Sequence, residues 1–516
     1  MPNYKPYNYN QMEMVAINYM EQLQPGTFEH ALFHLVESKL DLSIFDDRYK
    51  NDAGGRAAYD PGLLLKVVLY AYYKGIRSSR EIEWNCKSNI IFKALSCNVV
   101  PHFTTIAAFI SDGPKRIENL FEQILLICDA QGLLGKELLA IDGCKIPSNA
   151  SKEHSGTHAE LRAKQKKLRK QIRQHMKLHR EMDKKERNGS EQSQRRQQSI
   201  DSLNAASERI EDFLKKHPSP RMGKGKQSKE VKSNLTDNES CKMKTSKGVI
   251  QGYNGIATVD KKHQIIVDAQ AFGEGQEQQA LQPVLEAVDE RITRLGISNG
   301  LTEDGVIITA DTGYASEANM KYLHDEGLEA YIPDNQFRKR DHRFKEQQEK
   351  HGSRYKKKEA TTFLSNAFRV NWSKKACHCP AGEAMWLKRE GKDKTGATRL
   401  YFEGRLSKCR ACELKARCMR NPSSADTRTG HGRQVSFLIK GRGNYTNWMR
   451  ERIDTESGKE IYSHRMSVVE PVFANICANK RLDRFSHRGR LKVDSQWKLF
   501  SMVHNIEKLS KYGQIG

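Results

Sequence analysis

No stretch of this 516-residue sequence stays apolar for 18 residues, so no membrane-spanning helix is expected. The opening residues, MPNYKPYNYNQMEM, lack the apolar core of a secretory signal. Both absences point to the cytoplasm, where the 11 cysteines are expected to be reduced or metal-bound rather than paired in disulfides. Acidic charge is also in short supply. Against 87 Lys and Arg stand 63 Asp and Glu, a formal net charge of +24. A field of that sign attracts polyanions, nucleic acid first among them, although a merely soluble basic protein would carry it too. The length allows roughly two to four domains with cores of their own.

Residues 1–135 read as helical. Phe28–Val36 is apolar at helical spacing, and Tyr59-Asp60-Pro61 opens a dense helix, GLLLKVVLYAYYKG, with Pro61 near its first turn and Gly75 as its stop. Ser78 to Glu81 can cap the next helix, and Pro101 to Thr105 break the chain before IAAFISDG. Short helices joined by tight breaks suit a helix-turn-helix DNA-binding module, and equally a small bundle that binds nothing.

A mixed α/β core is predicted over 136–151 and 245–335. Leu138-Leu139-Ala140-Ile141-Asp142 is a short apolar run ending in an acid and followed by Gly143, the pattern of a buried strand that presents a side chain at its end. Gly305 to Tyr314 repeats the device with Asp311 and Gly313. GVIQGYNGIATVD and HQIIVDAQAF read as a hairpin, Ala280–Leu295 as an amphipathic helix, Ser316–Gly327 as another helix, and 329–332 as a further short strand. A basic insertion over 152–244 interrupts this core. Its first arm holds 12 Lys and Arg against 3 Asp and Glu between Leu161 and Arg187, and Asn188-Gly189-Ser190 is the turn. The return arm spaces Ile200, Leu203, Ala206, Ile210 and Phe213 like a coiled-coil stripe. The pair is read either as an arm lying along DNA or as a solvated hairpin.

Residues 336–458 change texture to short β-like pieces rich in Lys, Arg and cysteine. Cys379, Cys409, Cys412 and Cys418 are spaced to suit a structural, tetrahedral zinc site, with Cys377 and His378 as spare candidates and reduced free thiols as the alternative. Residues 459–516 close the chain with two helices. In IYSHRMSVVEPVFANICANKRL, Met466, Val469, Phe473 and Ile476 are expected to share a face with Glu470 beside it. Pro471 either kinks that helix or lies near a start capped by Ser467 and Glu470. Glu470 is either paired, with Arg465 as the nearest partner, or kept for chemistry. The last helix packs Trp497, Phe500, Val503, His504 and Ile506, and Arg484, Arg488, Arg490 and Lys492 make the stretch between the two helices basic.

Asp142 and Asp311 at strand ends and Glu470 on a late helix are three carboxylates that a sheet and a helix can bring to one point. Hard oxygen ligands so clustered bind Mg²⁺ or Mn²⁺. Two such ions activate a water or a 3′-hydroxyl and stabilise the leaving oxygen in phosphodiester cleavage.

In order and in local sequence, these residues resemble the DDE transposases of bacterial insertion sequences. AIDGCKI resembles the first-Asp motif and ITADTGYAS the second. Tyr462-x2-Arg465-x4-Glu470 resembles the tyrosine–arginine–glutamate–lysine signature around the third acid, and VEPVFANI and QWKLFSMVHNI are similar to that family too. The resemblance implies an α/β fold with an RNase H-like mixed-sheet core, an N-terminal all-helical domain, a basic helical-hairpin insertion and a Cys-rich insertion. It implies Asp142, Asp311 and Glu470 as the catalytic residues and the ligands of two Mg²⁺ or Mn²⁺ ions. Tyr462 and Arg465 would contact DNA phosphate. The implied partners are double-stranded DNA, both terminal inverted repeats and target, and a second copy of the chain at synapsis, in the bacterial cytoplasm at the nucleoid. The implied reaction is strand hydrolysis at each element end, followed by joining of the freed 3′-OH to target DNA. Two departures stand out. Four residues separate Arg465 from Glu470 where the signature has three, and Cys477 stands where it has lysine. Lys480 or Arg481 would take the place of that lysine, with Arg484 beside them. The rival readings are an RNase H-like nuclease without strand transfer and a basic DNA-binding protein whose acids are salt-bridged.

Overall fold

The computed structural model describes residues 16–48, 54, 57–183, 191–223, 229–246, 248–344, 362–392, 398–438 and 445–514. The chain divides into two compact units, one of residues 1–314, 322–332 and 457–516, the other of 315–321 and 333–456. Among the described residues no helix is long and apolar enough to cross a membrane.

The first unit opens with helices α1 (Phe28–Ser38), α2 (Pro61–Tyr73), α3 (Ser79–Ser88), α4 (Ile90–Leu95), α5 (Phe103–Ser111) and α6 (Pro114–Ala130). α2 starts where its sequence says it should. The Asp60 carboxylate accepts the Leu63 N–H, and Pro61 takes a first-turn position where a missing N–H costs nothing. Its apolar run is unbroken because it is buried on nearly every side, with Tyr72 stacked on Phe500 at 4.3 Å between ring centres.

Strand β1 (Leu138–Pro147) follows, then a two-residue ladder of β2 (Ser155–Gly156) with β3 (Ser233–Asn234). Between β2 and β3 stands the basic hairpin, α7 (His158–Asp183) and α8 (Glu191–Lys216). Leu161, Ile172, Ile200, Ile210 and Phe213 are buried in its seam, so the apolar stripe joins the two arms. The turn expected at Asn188–Ser190 lies outside the described residues.

The main sheet adds β4 (Cys241–Thr245), β5 (Gly248–Asp260), β6 (Ile266–Phe272), β7 (Ile307–Ala310) and β8 (Ala330–Tyr331), in the order β4-β5-β1-β7-β8 with β6 also on β5. β1 is antiparallel to β5 and parallel to β7, and β7 is parallel to β8. The sheet is therefore mixed. One expectation is corrected here: the strand does not end at Asp142. The long β5 supplies ladder partners for β1 through Pro147, opposite Gly252, so Asp142 lies inside the strand.

Helices cover this sheet. α9 (Leu281–Arg294) buries Val284, Leu285, Val288 and Ile292. α10 (Glu456–Ala474) and α11 (Arg490–Tyr512) close the chain. α11 shields the edge of β6. Asn505 receives the Ile266 N–H at 2.8 Å and returns a bond to the Ile266 carbonyl at 2.9 Å, and Asp494 receives the Ala271 N–H at 2.8 Å. These bonds take up part of the outer edge of β6, which would otherwise be open to another strand. A buried ion network ties the helices together: Arg291 of α9 meets Asp268 of β6 and Glu118 of α6, and Lys498 of α11 lies 3.0 Å from the same Glu118.

α10 starts at Glu456, well before Ser467, so Ser467 is no cap; its hydroxyl donates to the His464 carbonyl instead. Pro471 is inside the helix. Proline cannot donate to the carbonyl four residues back, which is that of Ser467. Gln264, from the β5–β6 turn, fills the vacancy with its Nε2 at 2.9 Å. A π-helical turn, Asn475–Asn479, follows at once. The buried face is Arg465, Val468, Val469, Val472 and Ile476, while Met466 turns outward, 49% exposed.

The second unit is built on an antiparallel sheet whose strands follow chain order, β9 (Arg369–Asn371), β10 (Ala376–His378), β11 (Ala384–Lys392), β12 (Thr398–Arg405) and β13 (His431–Leu438). Phe368, Cys377, Met385, Leu400, Phe402 and Val435 form its core. A helix over Tyr445–Ile453 is held by Arg450, which donates to Asp334 at 2.6 Å.

Candidate active site

Register sets two aspartates side by side. The last pair of the parallel β1–β7 ladder is Ile141 with Ala310, and the next residue on each chain is Asp142 or Asp311. Neighbouring strands lie about 4.8 Å apart, so both carboxyl groups leave the sheet at one level. The glycines of the two motifs make room. A Cβ on Gly143 would lie 2.8 Å from Asn254 Oδ1, and one on Gly313 would lie 2.1 Å from Glu277 Oε2.

α10 brings a cation to this pair. Arg465 Nη1 donates to Asp142 Oδ2 at 2.9 Å, and Nη2 lies 3.7 Å from Asp311 Oδ1. The Arg465 side chain is only 8% exposed. Asp142 Oδ1 also accepts the Gly143 N–H at 2.8 Å. Burial pushes the Asp142 carboxyl above the usual aspartate range, and Arg465 and the Gly143 N–H pull against that shift without cancelling it. Burial opposes the Arg465 charge, but Asp142, then Tyr462 and Asp311, hold its pKa above the ordinary guanidinium value. The guanidinium carbon is 5.9 Å from the centre of the Tyr462 ring, within cation–π range. Arg465 Nε is buried and has no hydrogen-bond partner among the described residues.

A third acid, Glu277, joins Asp142 and Asp311. It comes from the short 3₁₀ turn Glu277–Gln279 ahead of α9, with Lys145 of β1 3.4 Å from its carboxylate. Burial raises its pKa; Lys145 opposes this, and Asp142 and Asp311 add to it. Tyr314 is buried, its hydroxyl shifted up by burial and by Asp142, Glu277 and Asp311. Sequence reasoning missed Glu277. It lies in the polar run GEGQEQQ, whose pattern marks no site.

Glu470 is not drawn in to Asp142 and Asp311. It is exposed and makes no hydrogen bond or ion pair among the described residues. Arg465, the nearest partner expected for it, is spent on the aspartates. The helix around Glu470 is nonetheless anchored to β1 on both sides, by Arg465 on Asp142 and by Cys477, whose Sγ is 3.7 Å from Cys144 Sγ. Among the described residues no three His, Cys, Asp or Glu side chains form a group placed to hold a metal ion.

The basic residues downstream divide. Lys480, one of the two residues expected in place of the signature's lysine, is turned inward. Its side chain is 3% exposed, 2.9 Å from Glu507, with the ammonium 4.8 Å from the centre of the Tyr73 ring. Once buried, that charge is consumed by its partner. Arg481 is exposed and packs along Gly75. Arg484 lines a cleft of about 820 Å³ together with Lys152, His154, Arg209 and Arg488.

In the second unit, Cys379, Cys409, Cys412 and Cys418 all line one cleft of about 550 Å³. Burial raises the Cys418 thiol; Arg433 opposes this, and Cys409, Cys379 and Cys412 add to it. Cys377, a spare candidate, is instead packed in the sheet core, where burial pushes its thiol up to about 11. His378 is exposed on the same strand.

Fold and site thus define a mixed α/β protein with paired aspartates at one level of a parallel ladder, held around a cation. Residues 378–510 match a family model described as transposase DDE domain, and residues 17–112 match one described as transposase domain (DUF772). Both matches are to transposase families, and together they support reading the chain as a DDE transposase of an insertion sequence. No curated protein matches it. The first span contains Tyr462, Arg465, Glu470 and the four cysteines; Asp142 and Asp311 lie outside both spans. The DDE match implies an enzyme that cleaves and transfers DNA, and hence DNA as its substrate.

Proposed function

We propose that this transposase binds the terminal inverted repeats of its element, hydrolyses a strand at each end and joins the freed 3′-OH to target DNA. On this reading the mixed sheet is an RNase H-like core, and Asp142, Asp311 and Glu470 are the catalytic carboxylates. The observation that carries it is the single guanidinium shared by Asp142 and Asp311. A largely buried carboxylate cannot leave its charge to water and must be matched by a cation. This donor set, hard oxygens around a cation already held between two of them, fits Mg²⁺ or Mn²⁺. Asp142, Asp311 and Glu470 would hold the ions, which when bound activate the attacking oxygen and stabilise the leaving one.

The chain's own residues do the remaining work. Arg465 and Cys477 fix the helix that carries Glu470 against β1. Among the described residues Glu470 has no ion pair to break before it acts. Tyr462 and Arg465 offer donors to a phosphate, and the cleft with Arg209, Arg484 and Arg488 attracts the flanking backbone by charge. The short helices of the N-terminal part and the basic hairpin are further DNA contacts, and the synaptic form is a dimer. The four cysteines around one cleft are proposed to hold a structural Zn²⁺, because four thiols are the donor set of a closed tetrahedral site.

Labelled element-end DNA, incubated with protein and Mg²⁺ or Mn²⁺, tests this function. Cleavage and strand-transfer products are expected from the wild type. Asp142→Asn, Asp311→Asn and Glu470→Gln should each abolish both while retaining DNA binding. Cleavage without transfer would favour the nuclease reading. Cleavage that survives any one of the three substitutions overturns the assignment of that residue.

A further inference from the structure

We propose that Arg465 is a cation that metal and DNA must displace together, so that each makes the other bind more tightly. This rests on the metal-binding role proposed above for Asp142 and Asp311.

The case starts from charge. Asp142 and Asp311 share one guanidinium, and the neighbouring Glu277 has Lys145. Three carboxylates therefore face two cations. A divalent ion entering between Asp142 and Asp311 meets the Arg465 charge already bonded there, and two cations so close repel. While Arg465 keeps Asp142 Oδ2, that oxygen's best lone pair is also spent. The metal must therefore displace the guanidinium.

A released guanidinium needs a new anion. Left without one inside the fold, it carries the penalty of a buried unpaired charge. DNA supplies the anion. A phosphate matches the planar fork of an arginine and can accept two parallel bonds from it. The buried Nε–H, without an acceptor among the described residues, is a donor unspent in the present arrangement. The transfer needs no large motion of the helix, because Cys477 against Cys144 and the apolar contacts of Val468, Val469 and Val472 hold α10 independently of Arg465. Metal without DNA strands the arginine, and DNA without metal must compete with Asp142 for it. Bound together, the two ligands leave every charge paired. By linkage the coupling is reciprocal.

The test is calorimetric titration of the full chain with Mn²⁺, with and without a short DNA duplex, for wild type, Arg465→Met and Arg465→Lys. Wild type should bind Mn²⁺ about tenfold more tightly when DNA is present. Arg465→Met, similar in bulk but neutral, should bind Mn²⁺ more tightly than wild type without DNA, and should lose the dependence on DNA. Its melting temperature without metal should fall, and Mn²⁺ should restore more of it than in wild type. Arg465→Lys, whose single ammonium cannot bridge both acids, should lie between them and serves if Arg465→Met does not fold. If Arg465→Met weakens Mn²⁺ binding, or keeps the wild-type coupling, the arginine merely braces the carboxylates and the inference fails. If Mn²⁺ binding is absent from wild type, or indifferent to Asp142→Asn, the metal role itself fails first.

Discussion

Asp311 is the first residue beyond the end of its strand, whereas Asp142, at the same level one strand over, sits inside a strand that is still paired there with β5. One carboxylate is thus placed by a ladder and the other by a turn. Arg465 spans the two, so the site has one rigid member, one turn-borne member and a cation between them. The behaviour of the metal-free protein should reflect that arrangement.

Acidity is the first consequence. Burial raises the folded-state pKa of both Asp142 and Glu277. A carboxylate raised in this way contributes stability that is present below its unfolded pKa and is lost as pH rises through its folded pKa. The metal-free protein should lose stability from this source as pH climbs above about 4, the unfolded carboxylate value. In Asp142→Asn that part of the slope should be gone, giving a flatter plot of melting temperature against pH. An unchanged slope would mean Asp142 titrates as if exposed.

Gly143 and Gly313 are not equivalent. Alanine at 143 would press on the short, buried Asn254 side chain, which has little room to yield, and should cost about 1–3 kcal/mol in denaturant unfolding. Alanine at 313 meets the far end of Glu277, which can swing away. Its stability cost should be smaller, while the Lys145–Glu277 pair is lost and Glu277 leaves the aspartates. Equal costs would show that Asn254 gives way as easily as Glu277.

Lys480 and Arg484 should separate stability from DNA binding. Lys480→Met breaks a nearly buried ion pair with Glu507 and should cost about 2 kcal/mol, with DNA affinity and its salt dependence unchanged. Arg484→Ala, or Arg488→Ala beside it in the basic cleft, should leave stability within about 0.5 kcal/mol and lower DNA affinity. The slope of log affinity against log salt should shrink by about 0.9 per lost phosphate contact. A weaker DNA complex with Lys480→Met at full stability would reverse this assignment.

For the cysteine cleft the measurement is metal content. Protein purified without added metal should carry about one Zn²⁺ per chain. Cys409→Ser or Cys412→Ser should lose it and lower the melting temperature of the second unit. Cys377→Ala, in the sheet core, should retain the zinc. Zinc-free wild-type protein with four titratable thiols would establish the reduced-thiol alternative.

Much of this was readable in advance. α1 and α2 follow from apolar spacing and from the Asp60–Pro61 start, and the β5–β6 hairpin from two β-rich runs with a short turn between them. Asp142 and Asp311 stand out because each ends an apolar run and has a glycine one or two residues on, Gly143 and Gly313. Other features were hidden because the sequence does not record partners. β1 continues beyond Asp142 because β5 is long enough to pair with it, although Gly143-Cys144-Lys145 has no strand pattern of its own. Pro471 could not be placed because the donor that makes it tolerable, Gln264, is some two hundred residues away. Spacing alone puts Met466 on the buried face, but the face is centred on Arg465, whose burial no hydropathy pattern predicts.

By itself, then, the sequence determined which residues could do chemistry, the positive field that draws polyanions, and the local runs that become helices and strands; all of these are set by neighbours along the chain. The tertiary structure decided which charges are already spent. It gave Arg465 to Asp142 and Asp311 rather than to Glu470, turned Lys480 inward to Glu507, and brought Glu277 in from a polar loop. The reason is physical: the strength of a charge depends on its burial and on the partner within reach, and both are set by segments far apart in the chain.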